Sequence, residues 1–181
     1  MPGPIFLEGK TVSLRTIEEE DLTFLKRGVN DPSIWRTIGR PLPANDVQEQ
    51  EFFENVVSTD ETVTLLITSD EEPIGTVGFN EMNHEIGSAE IGYWIAPEYH
   101  NQGYGSEAVE LLVEYGFNER NLHRIEARVF EFNTASKRLL ESVGFTEEGV
   151  HRDAHFARGQ YQDTHWFGLL EHEWRQTEDT Q

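Results

Sequence analysis

Residues 89–113 read AEIGYWIAPEYHNQGYGSEAVELLV. Ile91, Tyr93 and Ile95 alternate with Glu90, Gly92 and Trp94, a two-residue period rich in aromatic and β-branched side chains that predicts a strand. Pro97 ends it. After a turn, Gly103 and Gly105 stand just ahead of Ala108, Leu111, Leu112 and Tyr115, whose i, i+3, i+4, i+7 spacing predicts an amphipathic helix. Glycines leave no Cβ to hold a ligand off the backbone, and the first helical turn offers unpaired N–H groups at the positive end of the dipole. Strand, glycine turn and helix together make a phosphate cradle. With Ala at 108 the pattern is not the dinucleotide G-x-G-x-x-G, and with no Gly-Lys-Ser/Thr it is not a Walker loop. A tight strand-to-helix connection without a ligand has the same spacing, so the residues alone leave both readings open.

Outward from this stretch, the composition restricts the function. The 181 residues carry 34 acidic against 14 basic side chains, a formal charge of −20. The lysines are Lys10, Lys26 and Lys137; the other basic residues are arginines. An 11% aromatic share with regular apolar periodicity belongs to a folded chain, so the charge is a surface property. Nucleic acid is disfavoured as a partner because no basic stripe is present to replace counterions. The acidic surface is expected to reflect adaptation to high salt, where self-repulsion is screened, with an ordinary acidic cytoplasmic protein as the alternative. Cysteine is absent, which excludes a disulfide scaffold, a thiolate metal site and a cysteine nucleophile. Seven histidines without paired spacing disfavour a metal site. No apolar run approaches membrane-spanning length, and a soluble cytoplasmic protein of one domain, residues 1–181, is expected.

The remaining elements follow in chain order. A short strand is expected at Thr11–Arg15 and a helix with an acidic start at Glu18–Arg27. The stretch 30–43, with Asp-Pro, Gly-Arg-Pro and Pro-Ala breakers around Ile34, Trp35 and Ile38, reads as a loop, either a pocket wall or a segment pinned to the core. Asp46–Val57 reads as a second helix, and Thr62–Thr68 with Pro73–Asn80 as a hairpin. Past the central unit come a strand at His123–Phe130, a helix at Asn133–Val143 closed by Gly144, and strands at Phe145–Arg152 and Gln160–Leu170. The polar residues 177–181 read as a frayed tail. Strands and helices in this order give a mixed α/β sheet with helices on both faces.

Two motifs carry a family resemblance. Tyr93-Trp94-Ile95-Ala96-Pro97 followed by Gln102-Gly103-Tyr104-Gly105-Ser106-Glu107-Ala108 resembles the acetyl-CoA pyrophosphate loop of the GNAT N-acetyltransferase superfamily. Asn133-Thr134-Ala135-Ser136-Lys137, running on to Val143-Gly144-Phe145, resembles the helix that lies along the pantetheine arm there. The surrounding wording resembles the ribosomal-protein alanine acetyltransferase branch. On residues alone, Asn133 is an N-cap and Ser136 a satisfied first-turn serine. The resemblance implies a GNAT fold, a mostly antiparallel twisted sheet of about seven strands with four helices. It implies acetyl-CoA as cosubstrate without a metal, and an amine acceptor that is a protein N-terminus or a small amine. It also implies cofactor contacts from Tyr93 to Ala96, from His100 and Asn101 through Ser106, and from Asn133, Ser136 and Lys137.

Acetyl transfer from a thioester needs a held amine, a proton acceptor, a donor to the oxyanion and help for the departing thiolate. By resemblance the backbone N–H near Ile95 polarises the carbonyl, where the central strand and the next one splay apart. Ser136 protonates the thiolate, because the tyrosine many relatives carry on the late helix is missing between Asn133 and Gly144. His100 stands where the family prefers Gln or Arg, and a neutral imidazole there gives one hydrogen bond to phosphate. Proton acceptance falls to Glu90, through a water, or to His155, since imidazole is the side chain most often used as a general base. Each has a plainer reading as a surface or strand residue. The chain is expected as a monomer or homodimer. Rival readings are a catalytically silent acyl-CoA-binding module and an unrelated α/β phosphate-binding domain.

Overall fold

The computed structural model describes residues 3–178. Its sheet holds eight strands: β1 (Ile5–Glu8), β2 (Ser13–Arg15), β3 (Val63–Ser69), β4 (Glu72–Asn83), β5 (Ser88–Ile95), β6 (Arg124–Phe130), β7 (Thr146–Ala157) and β8 (Gln160–Leu170). They lie in the order β1-β2-β3-β4-β5-β6-β8-β7, with every neighbouring pair antiparallel except β5–β6. Alternation sends Leu65, Ile67, Val77, Phe79 and Ile91 to one face. Helices α4 (Tyr104–Glu119) and α5 (Thr134–Val143) cover that face through residues such as Val109, Leu112, Val113 and Leu140. Leu66 and Trp94 point to the other face, under α1 (Leu22–Val29), α2 (Pro32–Ile38) and α3 (Asp46–Phe52), which supply Leu25, Ile34 and Phe52. α6 (Glu171–Glu178) follows β8 and buries Trp174 against Phe117.

The mixed, mostly antiparallel sheet agrees with the sequence reading, with one strand and two helices more than about seven and four. The additional helices have local causes. In the stretch read as a loop, Asp31 accepts a hydrogen bond from the Ser33 amide as N-cap, Pro32 sits in the first turn, and Gly39 closes the helix at φ +70°. The same breakers therefore punctuate a helix, α2. α6 takes in residues 177 and 178 of the segment read as a tail; residues 179–181 lie outside the described residues.

Two features position the site. Between Phe79 and Glu81 the β4–β5 register slips, leaving Asn80 as an extra residue on β4. More consequentially, β5 pairs with β4 along its whole length, from Asn83↔Ser88 to Gly75↔Ile95, yet pairs with β6 only at Ser88↔Arg124, Ala89↔Ile125 and Glu90↔Glu126. From there β6 follows β8 up to Phe130↔Thr164, and a wedge opens between the two parallel strands.

The residues beneath α1–α3 form a second apolar cluster, separate from the one under α4 and α5, and Glu49 is a buried charged group on that side of the sheet. Its side chain is 2% exposed, neither carboxyl oxygen has a hydrogen-bond partner among the described residues, and Arg40 Nη2 lies 3.4 Å away. Burial raises its pKa above the ordinary 4.5 against the opposing charges of Arg40 and Lys26. The folded chain then holds its proton to higher pH than the unfolded chain, so the group costs stability as pH rises from 4.5 through the raised value. Glu49→Gln removes this dependence. The melting-temperature difference, variant minus parent, is expected to grow across that window and then level off; a difference constant with pH contradicts the assignment.

Candidate active site

The wedge between β5 and β6 opens into a cleft of about 1080 Å³ that runs from α1–α3 to the first turns of α4 and α5. At its α4 end, residues 101–106 line the wall. Gly103 takes φ +86°, a Cβ there would meet nothing within 4 Å, and no side chain caps the helix. The first-turn amides of this 16-residue helix thus face open space without intrahelical acceptors. Glu107, the acid of that turn, is directed elsewhere: its carboxylate accepts from the amides of Lys10 and Thr11 and the Thr11 hydroxyl. Burial works to raise its pKa, and those hydrogen bonds outweigh it and hold the pKa below the usual range. That carboxylate therefore does not cap the first-turn amides, and the cradle fits a diphosphate.

At the mouth of the wedge, the Ala96 amide donates to Ile74 O on β4 at 2.7 Å. Because backbone groups alternate sides along a strand, the N–H and C=O of Ile95 point away from β4, into the wedge. The Ile95 carbonyl is taken by His100 Nε2 at 2.8 Å, and since a carbonyl only accepts, that nitrogen carries the proton. This changes two expected contacts. The Ala96 amide belongs to the sheet and Ala96 does not line the cleft, while the His100 donor expected on phosphate is spent on Ile95. The Ile95 N–H remains, aimed where an oxyanion would need it.

Asn133 Oδ1 accepts from the Ser136 amide at 3.2 Å as the N-cap of α5. Ser136 lines the cleft, its Oγ 2.7 Å from Tyr93 Oη. Lys137 lies outside the cleft lining, and its neighbour Arg138, which the sequence did not single out, is inside it. Trp94 is buried in the second cluster, stacked on Phe24 with centroids 5.5 Å apart, so its indole serves the core.

The other half of the cleft is lined by charged and aromatic side chains. Glu90 is held by Arg128 through two contacts, Nε–Oε2 at 2.7 Å and Nη2–Oε1 at 2.9 Å. Arg128 also lies over Trp166, whose Nε1–H donates to His151 Nδ1 at 3.1 Å. His155 stacks on Phe130 with centroids 3.8 Å apart and planes 12° apart. The cleft gathers Glu90, His155, Ser136 and the residues 100–106 in one space. Asn80, Glu49, Arg128, His151 and Trp166 were missed, and their signal is spatial: Glu90 and Arg128 are 38 positions apart. Among the described residues there is no group of three or more metal-ligating side chains, and no helix is long and apolar enough to cross a membrane.

The chain resembles known proteins over most of its length. It is 35% identical over 169 residues to the uncharacterized N-acetyltransferase p20 of Bacillus licheniformis, covering 90% of this chain and 94% of that one. Spermidine N-acetyltransferase from Vibrio cholerae, solved with CoA and spermine, superposes with a TM-score of 0.87 at 26% identity, covering 92% of this chain and 99% of that one. RimL, a ribosomal L7/L12 α-N-protein acetyltransferase solved with coenzyme A, superposes at 0.81 with 20% identity over 92% of this chain and 98% of that one, a likeness of fold. Residues 11–146 match the family described as Acetyltransferase (GNAT) domain, and with the cradle and the wedge in place this chain belongs to that family.

Proposed function

We propose that residues 1–181 form one acetyltransferase domain that moves the acetyl group of acetyl-CoA to a primary amine, and that its preferred acceptor is the N-terminal amine of a protein chain. The carrying observation is that Glu90, the carboxylate beside the wedge, is matched by the Arg128 guanidinium through two contacts. A polycation gains most from carboxylates that lack partners. A peptide N-terminus brings one ammonium and a row of carbonyls, which arginine donors and the polar residues Asn80, Thr64 and Thr76 along the cleft suit. The acidic surface attracts cationic amines of either sort, so it does not choose between acceptors.

In this reading the first-turn amides of α4 hold the pyrophosphate, Lys137 reaches a phosphate from outside the cleft, and the thioester lies in the wedge. The amine nitrogen attacks the carbonyl carbon, and the charge developing on oxygen is met by the Ile95 N–H. The C–S bond then breaks with its electron pair on sulfur, beside Ser136. Of the two proton acceptors, His155 makes no ion pair among the described residues, whereas both Glu90 oxygens face Arg128. His155 is therefore assigned the proton and Glu90 the placing of Arg128. His155→Ala is expected to lower kcat/KM by about 100-fold and Glu90→Gln by less, in the range of a lost general base; the reverse order returns the role to Glu90.

A second reading, a small polyamine as acceptor, is favoured by Glu49, a buried carboxylate without hydrogen bonds at the cleft wall, and by the spermidine acetyltransferase likeness. Thiol release from acetyl-CoA, screened with peptide N-termini and with spermidine at low and molar salt, separates them. Higher kcat/KM for peptides is expected. Spermidine outrunning every peptide moves the assignment to the second reading, and no amine above background removes acetyl transfer altogether.

A further inference from the structure

The Tyr93 phenol, on β5, reaches across the wedge to α5, with Oη 2.7 Å from Ser136 Oγ and 3.5 Å from the Ser136 carbonyl oxygen. The phenol has a single hydrogen, and of the two oxygens it faces the Oγ is much the nearer, so the short contact and not the long one to the carbonyl takes it. A phenol is also the better donor of two hydroxyls. In this assignment Tyr93 donates and Ser136 Oγ accepts, leaving the serine hydrogen to be used elsewhere. Many helical serines spend that hydrogen on a carbonyl a turn earlier, as Ser142 does on Leu139 O at 2.7 Å. Ser136 makes no such bond among the described residues, and its hydroxyl lines the cleft.

We propose that Tyr93 is a positioning residue for acetyl transfer, holding Ser136 so that the serine hydroxyl donates to the sulfur as the C–S bond breaks. The proposal rests on the acetyl-transfer reading of the same cleft. It revises the role expected for Ser136. Burial pushes the Tyr93 phenol up to about 12, against the opposing hydrogen bond with Ser136. A free thiol has a pKa of about 8.5, so full proton transfer from this pair to a thiolate is uphill by roughly three orders of magnitude. The pair stays neutral and hydrogen-bonds the thiolate. The electron pair of the broken bond remains on sulfur, and the thiolate takes its proton from water. The tyrosine missing from α5 is thus matched in function by a phenol on the facing strand, acting through a serine.

The test uses Tyr93→Phe, which keeps the ring and removes Oη, with Ser136→Ala and the double variant, each in the full chain. Calorimetry with CoA reports whether the cleft is intact. Tyr93→Phe is expected to lower kcat about tenfold or more, the scale of a hydrogen bond to a developing charge. CoA affinity and KM for acetyl-CoA are expected to stay within about twofold. Because both residues act through one hydroxyl, the double variant is expected to lose no more than Ser136→Ala alone. An unchanged kcat in Tyr93→Phe, a loss confined to KM, or single losses that multiply in the double variant overturns the proposal. Failure of the parent chain to acetylate any amine is a different result, since it removes the acetyl-transfer reading before any variant is compared.

Discussion

Parallel strands stay together only while each reaches the other's amides, and β5 and β6 stop doing so after the Glu90–Glu126 pair. Everything proposed for the site follows from that parting. β5 remains pinned to β4 up to Ile95, so the groups it would have offered β6 are left facing a gap instead of a strand. Leaving them there costs the sheet several ladder bonds. The cost is offset in part by His100 on the Ile95 carbonyl and by Arg128 bridging from β6 to Glu90. The gap also brings a strand amide, a helical serine and an uncapped helix start into one space, which continuous pairing would have closed.

The same geometry divides the cleft by chemistry. At the α4 end the field is positive and comes from backbone, because Glu107 is turned away to Lys10 and Thr11. At the opposite end the charge comes from side chains, with Glu90 held by Arg128 and Glu49 3.4 Å from Arg40. An enzyme with this division holds one anionic substrate firmly through main chain and leaves acceptor choice to a few side chains. Glu49 illustrates how such choices conflict with stability. A buried carboxylate without hydrogen bonds is a poor way to fill a core, and its position at the cleft wall gives a reason for it.

Local pattern made much of this legible in the sequence. The alternation of Ile91, Tyr93 and Ile95, the two glycines before Ala108 and the cap at Asn133 each concern neighbours along the chain, and the structure has a strand, a helix start and a helix cap there. The misses have equally physical causes. Asp31-Pro32 signals the end of one segment or the start of another, and only packing on β5 turns it into the opening of α2. Glu49 lies on an acidic helix that reads as solvated, and nothing local says that its side chain is buried at the cleft wall. The Tyr93–Ser136 and Glu90–Arg128 contacts join positions 43 and 38 apart, beyond any periodicity. The sequence could name the residues of the site and not their partners.

The central claim is that the parted strands and the uncapped start of α4 hold one thioester substrate between them. A crystal structure of the chain with coenzyme A tests it most directly. The account predicts the pyrophosphate on the amides of residues 103–106 and the thiol end in the wedge, near the Ile95 N–H and the Ser136 hydroxyl. Coenzyme A bound elsewhere, or a wedge closed by side chains in the complex, would contradict it.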